Sequence, residues 1–355
     1  MPPDLSLPDQ VVPEQVHRLH RPGVKRISLA LQGGGSYGAF TWGVMHRLMS
    51  DPHLYIDGIS GTSAGAMNAV VFADGFIKGK RQGAIDALEV FWDMVSRKCT
   101  IPRLSFPNFG NEWVVDSDPT FMLLDFLVRT LAPAQLNPLK LNPLQDVLNE
   151  LVDFEALRRR TDIKLFVTAS NVRTCKSRLF HTSEITVKTL LATSCLPLLY
   201  PAVEIDGEYY WDGGYLGNPA IHPLINECNS GDVVMVQINP MTRPDVPVTT
   251  GEILNRINEM TFNASLVSEM FGIAAISTLI DSGKLDDDRY TTVRFHKISA
   301  DEELSKYGAL SKLNTDRRFL QHLHDLGYEA AERWIAENFN RIGWESTIDV
   351  AATFG

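Results

Sequence analysis

Ile56-Asp57-Gly58-Ile59-Ser60-Gly61-Thr62-Ser63-Ala64-Gly65-Ala66-Met67-Asn68-Ala69-Val70-Val71-Phe72 runs a short apolar strand into a turn and then an apolar helix. Residues 56–60 read as a buried strand and 64–76 as a helix. Gly61-Thr62-Ser63-Ala64-Gly65 is therefore a G-x-S-x-G at a strand-to-helix turn, the context of a nucleophile elbow. Such a turn strains Ser63, while Gly61 and Gly65 let strand and helix approach, and Ala64 and Ala66 keep the neighbourhood slim. The competing reading is a surface serine in a glycine-rich turn.

One helix and one strand upstream lies a second glycine cluster, Gln32-Gly33-Gly34-Gly35-Ser36-Tyr37-Gly38. It follows a predicted buried strand at 26–31 and opens a predicted helix at 39–49, which Asp51-Pro52 stops. Bare amides at a helix N-terminus favour negative charge, either a pyrophosphate or a transient oxyanion. A dinucleotide site needs an acidic residue at the end of the second strand. The only nearby candidate, Asp57, precedes or begins that strand, so the nucleotide-binding oxidoreductase reading loses most of its weight. Adjacent strands would instead aim the loop's amides at Ser63, as an oxyanion hole requires.

Downstream, an amphipathic helix is expected at 83–96. Residues 99–143 then change texture: six of the chain's nineteen prolines lie there with Phe106, Phe109, Trp113, Phe121 and Phe126, which predicts either a covering insertion with its own short helices or a loose excursion, an active-site cap being the sharper reading. Strands are predicted at 163–172 and 177–182, a hairpin at 202–205 and 208–211 across Asp206-Gly207, and a buried strand at 233–238. From residue 252 the pattern is helical, broken by a strand at 291–298 and closed by a helix at 316–339. Alternating strands and helices predict an α/β fold with a largely parallel sheet, followed by a mostly helical C-terminal part. The hairpin leads into Trp211-Asp212-Gly213-Gly214, where a carboxylate at a strand end is followed by two flexible residues, the position of a loop base. His222 and His296 follow the elbow at distances that keep a Ser-His-Asp triad open.

In these residues the chain resembles the bacterial patatin-like phospholipases. The resemblance covers residues 26–240 and rests on three ordered motifs, 33–38, 61–65 and 212–214, with Ala192-Thr193-Ser194-Cys195-Leu196-Pro197 leading into the hairpin. It implies a three-layer α/β/α fold with a mainly parallel central sheet, a helical cap insertion and a helical C-terminal extension, and a lipid acyl hydrolase with a Ser-Asp dyad in place of a triad. Ser63 is then the nucleophile, Asp212 takes its proton, and the amides of Gly34 and Gly35 receive the oxyanion, with neither metal nor organic cofactor. It further implies one hydrolase domain over 25–345, holding the 99–143 insertion and a mostly helical 250–345, behind a flexible arm at 1–24. Two positions depart from the family's usual pattern: Gln32 stands where Asp is common, and Tyr37 where Arg or Lys is common. Loss of that cation weakens the phospholipid assignment and brings forward a carboxylesterase for neutral or short-chain esters.

Of 355 residues, 44% are hydrophobic and 21% charged, and 33 basic against 43 acidic side chains give a net charge of −10. That balance opposes binding to nucleic acid and strong attraction to anionic membranes. The longest apolar run, 271–280, ends at Asp281, short of the ~20 residues of a membrane span. The proline-bearing start has no apolar block and is not read as a signal peptide. Cys99, Cys175, Cys195 and Cys228 lack C-x-x-C pairing, which argues against a zinc site or a disulfide framework and for a cytoplasmic protein. Expected partners are a lipid or other acyl ester, with room for peripheral membrane contact and for a homo-oligomer. A third reading is an idle scaffold that binds a partner through 252–279; the plainer account of that segment is a helix packed on the core.

Overall fold

The computed structural model describes residues 23–100, 113, 115, 118–139, 141–160, 162–243, 245–285 and 293–355. The arm expected at 1–24 falls outside them except for Gly23 and Val24, as do Phe106 and Phe109 of the expected insertion and the first two residues of the strand expected at 291–298.

In chain order the elements are β1 (Lys25–Leu31), α1 (Gly38–Ser50), β2 (Leu54–Gly61), α2 (Ala64–Lys98), α3 (Pro119–Thr130), α4 (Pro133–Leu136), α5 (Pro143–Leu151) and α6 (Phe154–Arg159). They continue with β3 (Lys164–Asn171), β4 (Ser177–His181), α7 (Val187–Thr193), β5 (Val203–Ile205), β6 (Glu208–Asp212), α8 (His222–Glu227) and β7 (Asp232–Gln237). The last are α9 (Thr250–Asp281), β8 (Arg294–Ser299), α10 (Asp301–Leu304), α11 (Arg317–Asn338) and α12 (Val350–Phe354). The two helices expected at 64–76 and 83–96 are the arms of α2, which breaks at Gly79 and at Lys80, whose φ is 55°.

The sheet runs β5-β6-β3-β2-β1-β7-β8, with β4 also on β3. The five strands β3, β2, β1, β7 and β8 pair in parallel, and β4, β6 and β5 are antiparallel. The hairpin between β5 and β6 turns on Asp206 and Gly207, both at positive φ, as a tight two-residue turn demands.

Strand periodicity divides the core. Ile27, Leu29 and Leu31 of β1 and Val234 and Val236 of β7 join the cluster with α1, α2 and α11, whereas Ala30, Val233 and Met235 join α8, α9 and α12 on the opposite face. The result is a three-layer α/β/α arrangement with a mixed, mainly parallel sheet, as expected. One expectation needs correction. Counting uninterrupted apolar residues missed that α9 is, by length and composition, long and apolar enough to cross a membrane. Polar residues are spread along it, and Glu259, Phe262, Asn263, Leu266 and Met270 are buried against the protein.

α1 and α11 cross so closely that the carbonyl of His324 occupies the space a Cβ would need at Gly43, and the carbonyl of Phe40 that at Gly327. Gly327→Ala would gain about 1 kcal/mol of helix propensity, but its new methyl group meets backbone that no rotamer change can move. We expect a net loss of about 1–3 kcal/mol, read as a lower midpoint in chemical or thermal unfolding; unchanged stability would mean that the two helices can part without penalty.

Candidate active site

β3 brings Ser63 and Asp212 together. β2 runs parallel to it and ends with Gly61 opposite Val167, and β6 runs antiparallel to it and ends with Asp212 opposite Ala169. Those two levels differ by two residues, about 7 Å of strand. Beyond Gly61 the chain turns at Ser63, with φ 52° and ψ −121°, and enters α2 at once. Gly65 permits this, because the carbonyl oxygens of Leu31 and Gln32 stand where its Cβ would be.

The Ser63 side chain lies beside the Asp212 carboxylate and favours its charged form. Asp212 is buried, and its Oδ1 accepts the Gly214 amide at 2.7 Å. Burial pushes its pKa up to about 7, against the opposing pull of the Gly214 N–H, the Ser63 hydroxyl and the charge of Lys312. The Ser63 amide donates to Thr193 Oγ1 at 2.9 Å, and that hydroxyl donates to the Thr168 carbonyl at 2.5 Å. A single side chain thus ties the turn to β3.

The glycine loop lies against the same turn: a side chain at Gly33 would meet Ser63 Cβ at 2.7 Å. The Gly33 amide donates to Asn218 Oδ1 at 2.7 Å. The amides of Gly34 and Gly35 have no acceptor among the described residues, and both glycines line a cavity of about 830 Å³ with Ser63 and Asp212. Gly35 takes φ 59° and packs on the Lys312 carbonyl. Apolar side chains from several elements complete the wall, among them Phe91 of α2, Leu124 of α3, Leu144 of α5 and Leu196 and Leu199 after α7. Leu124, Asn137 and Asn142 come from the stretch expected to form a cap.

Gln32 has a defined role. Its Oε1 accepts the amides of Ile238 and Asn239 at 3.0 Å each, and its Nε2 donates to Asn263 Oδ1 at 3.0 Å. A carboxylate could accept those two amides but could not donate to Asn263, so the local partners suit an amide. Tyr37 is buried, and its hydroxyl donates to the Gly308 carbonyl at 2.9 Å.

The two histidines lie elsewhere. His222 is exposed and paired with Glu269 at 3.0 Å; His296 is wholly buried between Asp232, 3.1 Å from Nε2, and Thr347. Neither lines the cavity. Asp57, the acidic residue a dinucleotide would need, is held by Arg26 at 2.8 Å and the Asn229 amide at 2.5 Å.

The profile of the patatin-like phospholipases matches residues 29–225, more than half of the chain. The protein belongs to this family. Membership makes it a hydrolase of the lipid and ester class. A comparison with curated proteins gave no match. Among solved structures the chain is similar to VipD from Legionella pneumophila, at 16% identity and a TM-score of 0.39, over 89% of this chain and 67% of that one.

Reading the sequence alone missed Thr193, Asn218, Asn239 and Lys312. Thr193 lies within the quoted run Ala192 to Pro197 and could have been singled out there. The others reach the site from distant elements and carry no local signal. Thr193→Val keeps the shape but strands the buried Ser63 amide, at a cost of about 1–3 kcal/mol. Unfolding should show that loss, and an unchanged midpoint would mean that the turn does not rely on this hydroxyl.

Proposed function

We propose that the protein is a serine acyl-ester hydrolase of the phospholipase A type, in which Ser63 and Asp212 form the dyad and the Gly34 and Gly35 amides form the oxyanion hole. The observation that carries this reading is Ser63 beside the buried Asp212 carboxylate and two amides without an acceptor among the described residues, all four on the wall of one largely apolar cavity. Asp212 accepts the Ser63 proton as Oγ attacks the ester carbonyl. The carbonyl oxygen, now negative, is held by the two amides, a contribution of about 2.7–4 kcal/mol per donor. Collapse expels the alcohol, which takes the proton back, and leaves an acyl group on Ser63. Water activated by Asp212 then hydrolyses this acyl-enzyme.

An isolated carboxylate is a weak base toward a serine hydroxyl. Burial raises Asp212 toward neutrality, which makes it a better proton acceptor while leaving a sizeable ionised fraction at pH 7. The apolar wall suits an acyl chain, and Leu124, Asn137 and Asn142, which line it, support the reading of their stretch as a cap. Exposed Ile257, Met260 and Phe271 on α9 support peripheral contact with a membrane. The four cysteines are free thiols, which suits the cytoplasm to which we assign the enzyme.

Ser63→Ala should lower turnover of p-nitrophenyl butyrate at least about a thousandfold and abolish labelling by a fluorophosphonate, and Asp212→Asn should cause a comparable loss of turnover. Unchanged turnover in the Ser63 variant would sink the proposal, and full activity in the Asp212 variant would remove that residue as base.

The pH profile follows from the raised carboxyl. Protonated Asp212 cannot accept a proton, so kcat/KM should climb with pH, levelling above about 7 and falling about tenfold per unit on the acid side. A profile flat down to pH 5 would show that no group of this pKa limits the reaction.

A further inference from the structure

Of the cationic side chains lining the cavity, Lys98 is half-exposed and paired with Glu150, whereas Lys312 lies among the residues around Ser63 and carries no ion pair among the described residues. Its Nζ donates to two neutral amide oxygens, Asn239 Oδ1 at 2.8 Å and Asn258 Oδ1 at 2.7 Å, which leaves one of three N–H donors unused among the described residues. The carboxylates that act on it are engaged elsewhere. Glu259 is held by Arg243 in a two-pronged pair and by Arg256, and Asp212 accepts the Gly214 amide. The ammonium also lies 5.2 Å from the centre of the Phe262 ring and 5.8 Å from that of Tyr37. The glycine loop from Gln32 to Gly38 contains no cation of its own.

We propose that the Lys312 ammonium is the cavity's anion-recognising group, binding the phosphate of a phospholipid whose ester carbonyl lies at Ser63 and so favouring that substrate over uncharged esters. The inference rests on the acyl-hydrolase reading and names its substrate class. Three features support it. The position is fixed, because the Lys312 carbonyl packs on Gly35 and its Nζ bridges Asn239, whose Nδ2 donates to the Gly33 carbonyl at 2.8 Å. The charge is largely present at neutral pH: burial lowers the pKa to about 8, opposed by attraction to Glu259 and Asp212. Nor is Lys312 bonded to Asp212, since its Nζ contacts are the Asn239 and Asn258 side-chain oxygens. A desolvated, unpaired ammonium beside the reacting centre gains most from an incoming anion, since charge-assisted hydrogen bonds are the strong ones in such surroundings.

The test uses two soluble substrates with the same acyl chains, dihexanoyl phosphatidylglycerol and dihexanoylglycerol, both below the concentration at which they aggregate. For Lys312→Met, which nearly conserves volume, the ratio of kcat/KM for the phospholipid to that for the diacylglycerol should fall about tenfold, mostly through KM. Lys312→Arg should keep more of the ratio. A fall of both activities by the same factor would overturn the proposal while leaving the hydrolase reading intact, since Lys312 would then only support the loop. Binding is read separately on Ser63→Ala, whose melting temperature should rise with dihexanoyl phosphatidylglycerol and should not rise once Lys312→Met is added. No rise in the first variant, or an equal rise in both, overturns the proposal whatever the turnover.

Discussion

The close approach of Gly65 to the Leu31 carbonyl is the constraint on which the site depends. It lets α2 begin one residue after the turn and holds Ser63 at a positive φ, a region that side chains normally avoid. A strained residue of this kind persists only if its surroundings over-determine it. Here the restraint is distributed: the Ser63 amide is held by Thr193, its Cβ is overlaid by the glycine loop at Gly33, and Gly213 abuts the Thr168 carbonyl that Thr193 also binds. Ser63, the glycine loop and Asp212 therefore share one piece of β3 and β1, and a displacement of any one presses on the other two.

That geometry also sets the electrostatics. Asp212 is buried, yet its carboxylate accepts the Gly214 amide and lies beside the Ser63 hydroxyl, groups that favour its charged form without neutralising it. A directly bonded cation in their place would push the carboxyl well below its ordinary value and make it a poorer base. Keeping Lys312 on amide oxygens provides a positive charge in the cavity wall without a salt bridge to Asp212.

Much of this was legible in local sequence because glycine spacing reports backbone geometry. Gly33 to Gly38, Gly61 to Gly65 and Asp212 to Gly214 each lie on a strand end or the turn after it, and hydrophobic periodicity located those ends within a residue or two. The helices read at 64–76 and 83–96 are the two arms of α2, which the fold breaks at Gly79 and Lys80. The illegible part was tertiary. Asn239 follows β7, Asn218 follows β6, and Lys312 lies in the turn before α11; each acts on the glycine loop across roughly two to three hundred residues of chain. Tyr37 shows the limit from the other side. Its lack of charge was visible, but not that its ring would lie near an ammonium from elsewhere.

The net charge of −10 and a cationic cavity are compatible because they act over different distances. Surface carboxylates are screened beyond about 8 Å at physiological salt, so they govern approach to an anionic surface and have little hold on a group inside the wall. Lys312 works where water is scarce and screening is weak. Overall charge thus selects against broad attraction to polyanions, while a single desolvated ammonium recognises one phosphate already brought in by its acyl chains. Apolar residues exposed on α9 can support that delivery without electrostatic help, because their burial at an interface is insensitive to the sign of the surface.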